Sequence, residues 1–191
     1  MIDFNPDSRL KPEKGRLLIS EPFLSDPYFK RTVVLLCEHN DEGSFGFVLN
    51  RYIDMDITRI MKEFPSIESK VGVGGPVQNQ NLFFLHTLGD KLEGSKEVFD
   101  GVFMGGNFDL LKIMVETGQV ENHEVRFFIG YAGWSPEQLD QELKEKSWIV
   151  APTNKRSVMS TENEGFWGDA LKSLGKKYAH LANFPENPRY N

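Results

Sequence analysis

Residues 15–51 read GRLLISEPFLSDPYFKRTVVLLCEHNDEGSFGFVLNR, and this stretch decides the fold. The run TVVLLC at residues 32–37 is apolar on both faces, the pattern of a strand covered on both sides and central in its sheet. Alternation puts Val33, Leu35, Cys37 and His39 on one face, and Thr32, Val34, Leu36 and Glu38 on the other. Asn40, Asp41, Glu42 and Gly43 are turn formers, and residues 44–49 supply a partner strand, so the pair reads as a β-hairpin. In that pairing His39 lies opposite Ser44, Cys37 opposite Gly46, Leu35 opposite Val48 and Val33 opposite Asn50. The step from Val33 to His39 then spans about 20 Å. The polar groups at the two ends of the hairpin therefore form two places, not one composite site.

Upstream, residues 17–19 form a short strand, and Glu21-Pro22 and Asp26-Pro27 shape the loop that follows. Downstream, residues 56–64 carry apolar side chains at helical spacing, with Asp56 as N-cap and Pro65 as terminator. VGVGGPV at residues 71–77 is a glycine-rich joint. Strands are expected over 81–87 and over 97–104, the latter bent at Asp100-Gly101. A helix capped by Asn107 and closed by Gly118 comes next, then a strand over 124–131. A helix follows with Ser135 as N-cap, Pro136 at its first position and Gln138 in a capping box. A strand over 148–151 and helical pieces over 166–174 and 178–182 complete the chain, before a non-helical tail. Strands and helices interleave without βαβ alternation, which gives an α+β domain with a largely antiparallel or mixed sheet. Residues 1–14 read as an N-terminal arm and residues 15–191 as a single domain.

The 191 residues are 39% hydrophobic and 26% charged, the balance of a soluble globular protein. Fifteen Phe predict a core filled by aromatic side chains from sheet and helices alike. A net charge of -6 without a block of Lys or Arg argues against direct nucleic-acid binding. Cys37 is the one cysteine, so no internal disulfide forms and a reducing, cytoplasmic setting fits. No stretch has the roughly 20 apolar residues of a membrane span, and residues 1–14 hold no apolar signal segment.

Four stretches in this order carry a resemblance to one family. They are residues 15–51; VGVGGPV with LFFLHTLG; FFIGYAGWSPEQLDQEL with the Trp of SWIVA; and FWGDALKSLGKKYAHLANFPENP. Together they resemble the YqgE/AlgH family of small bacterial proteins, over nearly the whole chain from Gly15 on. The resemblance implies a bifurcated sheet folded into a pseudo-barrel with flanking helices. It implies no settled activity, although the AlgH name carries a label as a transcriptional regulator. The chain departs from the pattern at Tyr28, where Asn is common, at Tyr52, where Pro is common, and at Glu137, where Gly is common.

The residues themselves leave two readings of function open. One is a non-catalytic binding or regulatory module that recognises a small molecule or a protein through a polar cleft. The other is an enzyme in which Glu38 or His39 acts as acid–base group on a small anionic substrate. The candidate ligand-binding residues are Asn40 at one end of the hairpin, Arg31, Asn50 and Arg51 at the other, and Gly74 and Gly75 in the glycine-rich joint. Asp26 is placed to pair with Arg31 or Arg51. Cys37 and His39 could form a nucleophilic couple, but a buried core thiol is the plainer reading of Cys37. The four His lack zinc-ligand spacing, and VGVGGPV is neither a P-loop nor a dinucleotide fingerprint, so no metal or cofactor is expected.

Overall fold

In the computed structural model, which describes residues 10–161 and 165–184, the sheet grows from the expected hairpin. β1 (Leu17–Ser20), β2 (Val33–Asn40) and β3 (Gly43–Val48) run antiparallel with β2 in the middle. Val33, Val34, Leu35, Leu36 and Cys37 are fully buried, as their two-faced apolar run requires. Asn40 already pairs with Gly43, so the turn is only Asp41 and Glu42.

The register differs from the expected one beyond the turn. His39 does face Ser44, but Leu36 rather than Cys37 lies opposite Gly46, with Leu35 opposite Phe47 and Val34 opposite Val48. The cause is a β-bulge between Leu36 and Glu38, which inserts one residue into β2. Gly46 permits the close approach, since a Cβ there would sit 2.1 Å from the Leu35 carbonyl oxygen. One extra residue resets the alternation. Glu38 keeps its expected place opposite Phe45, but it now continues the face of Leu35, which lies opposite Phe47.

The remaining elements are β4 (Tyr52–Asp56), α1 (Ile57–Ile60), β5 (Lys70–Val73), β6 (Val77–His86), β7 (Lys96–Phe99) and β8 (Val102–Met104). Then come α2 (Phe108–Glu116), β9 (Val125–Trp134), α3 (Gln138–Lys144), β10 (Trp148–Ala151), α4 (Lys155–Met159), α5 (Phe166–Ser173) and α6 (Lys176–Ala179). The order along the sheet is β10-β1-β2-β3-β9-β6-β8-β7. β9 is the branch point: it pairs antiparallel with β3 and β6, and parallel with β5, which in turn pairs with β4. The sheet is thus mixed and bifurcated. It curls without closing, because β10 and β7 end the order unpaired with each other. Lys14 Nζ donates to the Glu97 carbonyl at 3.0 Å, so the chain entering β1 passes beside β7. Side chains from β1, β2, β3, β6, β7, β8, β9 and β10 meet α4 and α5 in one core, a pseudo-barrel by curvature. A second core lies under α1 and α2, and a third under α3.

Three local expectations give way to tertiary packing. The helix expected over 56–64 stops at Ile60, although Asp56 caps it as expected. The chain leaves the helix at Met61 and Phe64 packs against Phe108 and Phe127, at 5.4 and 5.3 Å between ring centroids. The helix expected from Pro136 starts at Gln138, because Glu137 sits at φ 64 and breaks the helical run. The Ser135–Gln138 bond of the capping box survives, from the Ser135 N–H to Gln138 Oε1 at 3.0 Å. β4 and α4 were not anticipated; β4 is a largely exposed strand of five residues. Residues 1–9 of the expected arm, and the tail over 185–191, lie outside the described residues. No helix among the described residues is long and apolar enough to cross a membrane.

Candidate functional site

The two ends of the hairpin open into separate clefts. At the turn, a cleft of about 430 Å³ is lined by Glu38, Asn40, Glu42, Ser44, Phe45 and Tyr131, among others. The bulge explains why Glu38 and Asn40 line it while His39 does not. His39 Nδ1 instead meets Ser44 Oγ at 2.7 Å across the strand pair. Asn40 Nδ2 donates to Glu38 at 3.3 Å, and Asn40 Oδ1 accepts the Glu42 N–H at 2.8 Å. Glu38 and His39 therefore share no hydrogen bond, and no arginine lines their end of the hairpin.

At the open end, a cleft of about 470 Å³ is lined by Lys30, Arg31, Asn50, Arg51, Trp167, Asp169 and Lys172, with Gly165 and Gly168 from the start of α5. Its geometry starts from Asn50. The Asn50 Nδ2 donates to the Arg31 carbonyl at 2.9 Å, and its Oδ1 accepts the Val33 N–H at 2.9 Å. That clamp holds Arg31 at φ 51, in the left-handed region. The Arg31 guanidinium lies 4.8 Å over the Trp167 ring, and its Nη2 donates to the Phe184 carbonyl. Arg51 Nη2 donates to the Lys30 carbonyl at 2.7 Å. The expected Asp26 ion pair is absent: the Asp26 carboxylate instead accepts the Tyr28 and Phe29 N–H groups at 2.8 and 3.1 Å, closing its own turn. Among the described residues neither Arg31 nor Arg51 meets a carboxylate, and Arg31 Nε is buried without a partner. Asp169 pairs with Lys172 at 3.4 Å. Two arginine side chains thus converge on one cleft of a chain whose net charge is -6.

Behind this cleft stands Arg126, fully buried on β9. Its guanidinium donates to the carbonyls of Val158 and Leu49 and, at 3.0 Å, to the Tyr52 hydroxyl. The rings of Phe128 and Tyr52 lie 5.0 and 5.6 Å from it. Burial pushes the Arg126 pKa down to about 10. The hydroxyl of Tyr52 donates to the Leu49 carbonyl at 2.9 Å, so both groups fix the backbone on either side of Asn50 and Arg51. The signal for Arg126 was present in the sequence as a lone charge inside the apolar run VRFFIGY. Trp167 and Lys172 had no such signal, because only the fold brings them to Arg31.

The other candidates fall elsewhere. Gly74 and Gly75 line none of these clefts; Gly74 donates its N–H to the Ile129 carbonyl at 2.8 Å, and a Cβ on it would lie 2.2 Å from the Gly130 carbonyl oxygen. Close backbone passage is what these glycines allow. Cys37 is fully buried in the first core, and burial pushes its thiol pKa up, away from thiolate chemistry. One polar group escaped the sequence reading. His86 is buried, its Nδ1 accepts the Leu88 N–H at 3.2 Å, and its Nε2 meets Ser95 Oγ and the Gly105 carbonyl, each at 3.0 Å. The proton must then sit on Nε2, so the nitrogen facing Ser95 cannot act as its base. Among the described residues no group of three or more His, Cys, Asp or Glu side chains could hold a metal ion.

Residues 17–179 match a family described as AlgH-like. The chain belongs to the AlgH-like family. A UPF0301 protein of Chlorobaculum tepidum is 43% identical over 182 residues, which cover 95% of this chain and 96% of that one. A UPF0301 protein of Bacteroides thetaiotaomicron is 40% identical over 181 residues, covering 94% of this chain and 92% of the relative. The solution structure of the AlgH protein from Pseudomonas aeruginosa matches this AlgH-like chain with a TM-score of 0.72 and 26% identity, over 92% of this chain and 98% of that one. A crystal structure of a Corynebacterium diphtheriae protein shares the fold at a TM-score of 0.78 and 23% identity, over 95% and 97% of the two chains.

Proposed function

We propose that this AlgH-like chain is a cytoplasmic, non-catalytic binding module whose recognition site is the cleft of Arg31, Asn50 and Arg51, and that its ligand is an anion. One observation carries the reading: two arginines face one cleft with no carboxylate partner among the described residues. Arginine forks match phosphate and carboxylate oxygens, and a partner anion would complete what the protein leaves open. Asn50 positions the arginines through the backbone. Binding is favoured over catalysis because Glu38, the acid–base candidate that lines a cleft, opens into a different one. A regulatory role would follow from ligand occupancy read by a protein partner, without direct nucleic-acid contact.

The test is a calorimetric titration of the full chain with phosphate at fixed ionic strength. Saturable binding is expected, weakened about tenfold or more in Arg51→Gln. Equal affinity of wild type and Arg51→Gln, or no saturable binding, contradicts the reading.

A further inference from the structure

We infer that the concave face of the sheet carries a second ligand site, which takes a carboxylate with an apolar tail, the chemistry of a short acyl acid. It is separate from the arginine cleft and does not rest on the reading of that cleft. The sheet curls without closing, and β7 ends its order. Phe45, Phe83 and Met104 pack on the first core from the concave side yet stay only partly buried. A cleft of about 300 Å³ opens over them, lined by Phe45, Phe47, Phe83, Met104 and Lys96 among others. The rings of Phe45 and Phe47 meet edge to face at 5.6 Å between centroids, and those of Phe47 and Phe83 lie 5.9 Å apart. An apolar floor with one placed polar group is the usual make-up of a small-molecule pocket, and this volume lies at the small end of their range.

Lys96 decides the ligand. It lies opposite Met104 in the β7–β8 pair, and Met104 lies opposite Leu85 in the β8–β6 pair. Directly opposed residues project to one face of a sheet, so Lys96 shares the face of Leu85, a buried member of the first core. Phe83, two residues from Leu85, is on that face too. An ammonium thus stands at the margin of a surface that the rest of the sheet fills with apolar side chains. Alternation sends Glu97 the other way, where its carboxylate accepts the Gly101 N–H at 3.0 Å. Among the described residues Lys96 meets no carboxylate, and no Asp or Glu lines the cleft. A carboxylate head would complete the charge of Lys96 while its tail covers the rings. Each methylene buried there is worth about fourfold in affinity.

The experiment titrates the full chain by calorimetry with octanoate, butyrate and octylamine, each below its micellar concentration. Octanoate should bind saturably, about tenfold or more tighter than butyrate, which lacks the tail, and than octylamine, whose cation meets Lys96. Lys96→Gln should weaken octanoate about tenfold or more, whereas Arg51→Gln should leave it unchanged. Lys96 is exposed, so the Lys96→Gln chain should keep the wild-type thermal midpoint. Octylamine as tight as octanoate, or an octanoate affinity untouched by Lys96→Gln, overturns the assignment. A loss in Arg51→Gln overturns it as well, because the carboxylate would then sit in the arginine cleft. Absence of saturable binding overturns it too, and leaves Lys96 as a guard of the sheet edge.

Discussion

Arg126 Nη2 donates to the hydroxyl of Tyr52 at 3.0 Å, joining the centre of the sheet to the chain just after the basic cleft. Among the described residues Arg126 meets no carboxylate in the core; carbonyls, one phenol and two ring faces solvate its charge. Removing the guanidinium leaves the Leu49 and Val158 carbonyls without it. Arg126→Met should therefore lower unfolding free energy by about 1–3 kcal/mol, read as a shifted urea midpoint with unchanged slope. Tyr52→Phe should cost less, about 1 kcal/mol, and also loosen anion binding because Leu49 and Arg51 lose a tether. A Tyr52→Phe chain as stable and as tight-binding as wild type would deny the hydroxyl its role.

His86 ties stability to pH. Its Nδ1 must stay unprotonated to accept the Leu88 N–H, and burial holds its pKa below the ordinary value of 6.5. The unfolded chain then binds the proton more readily than the folded one. The contribution is intact above pH ~6.5 and is lost as pH falls through that value toward the lower folded pKa, by at most ~1.4 kcal/mol per pH unit. Urea unfolding at a series of pH values between 7.5 and 5.5 should show the fall. His86→Gln should be less stable at pH 7.5 yet flatter across the range; an unchanged slope would place the pH dependence elsewhere.

Glu137 holds φ 64, a region that disfavours side chains with a Cβ by about 1–2 kcal/mol. Glycine relieves the strain but gives the unfolded chain more freedom, an offset of roughly 0.5–1 kcal/mol. Glu137→Gly should be neutral to stabilising, by up to about 1 kcal/mol, raising the thermal midpoint. A clear loss of stability would mean that the Glu137 side chain makes a contact the turn depends on.

Much of this was legible in the sequence. TVVLLC announced a buried central strand, and Asn107 and Asp56 announced their caps. The separation of the two polar hairpin ends followed from strand rise alone. What alternation could not see was the bulge at Cys37, because a bulge depends on the partner strand and on the room Gly46 leaves. That single residue carries Glu38, and not His39, onto the face of Leu35 and Phe45. The basic cleft was half legible: Arg31, Asn50 and Arg51 are close in sequence once the hairpin is drawn. Trp167, Lys172 and Phe184 join them only through the curl of the sheet and the packing of α5 on β1 and β2. A chain without a basic block can still build a basic cleft, since the charges gather in space and not along the sequence.

The most direct test is crystallographic: soak crystals of the protein in tungstate, a heavy tetrahedral stand-in for phosphate, and map the anomalous signal. The account requires a peak within hydrogen-bond reach of both the Arg31 and Arg51 guanidinium groups, absent in Arg51→Gln crystals. Strong peaks elsewhere with none in this cleft would contradict it.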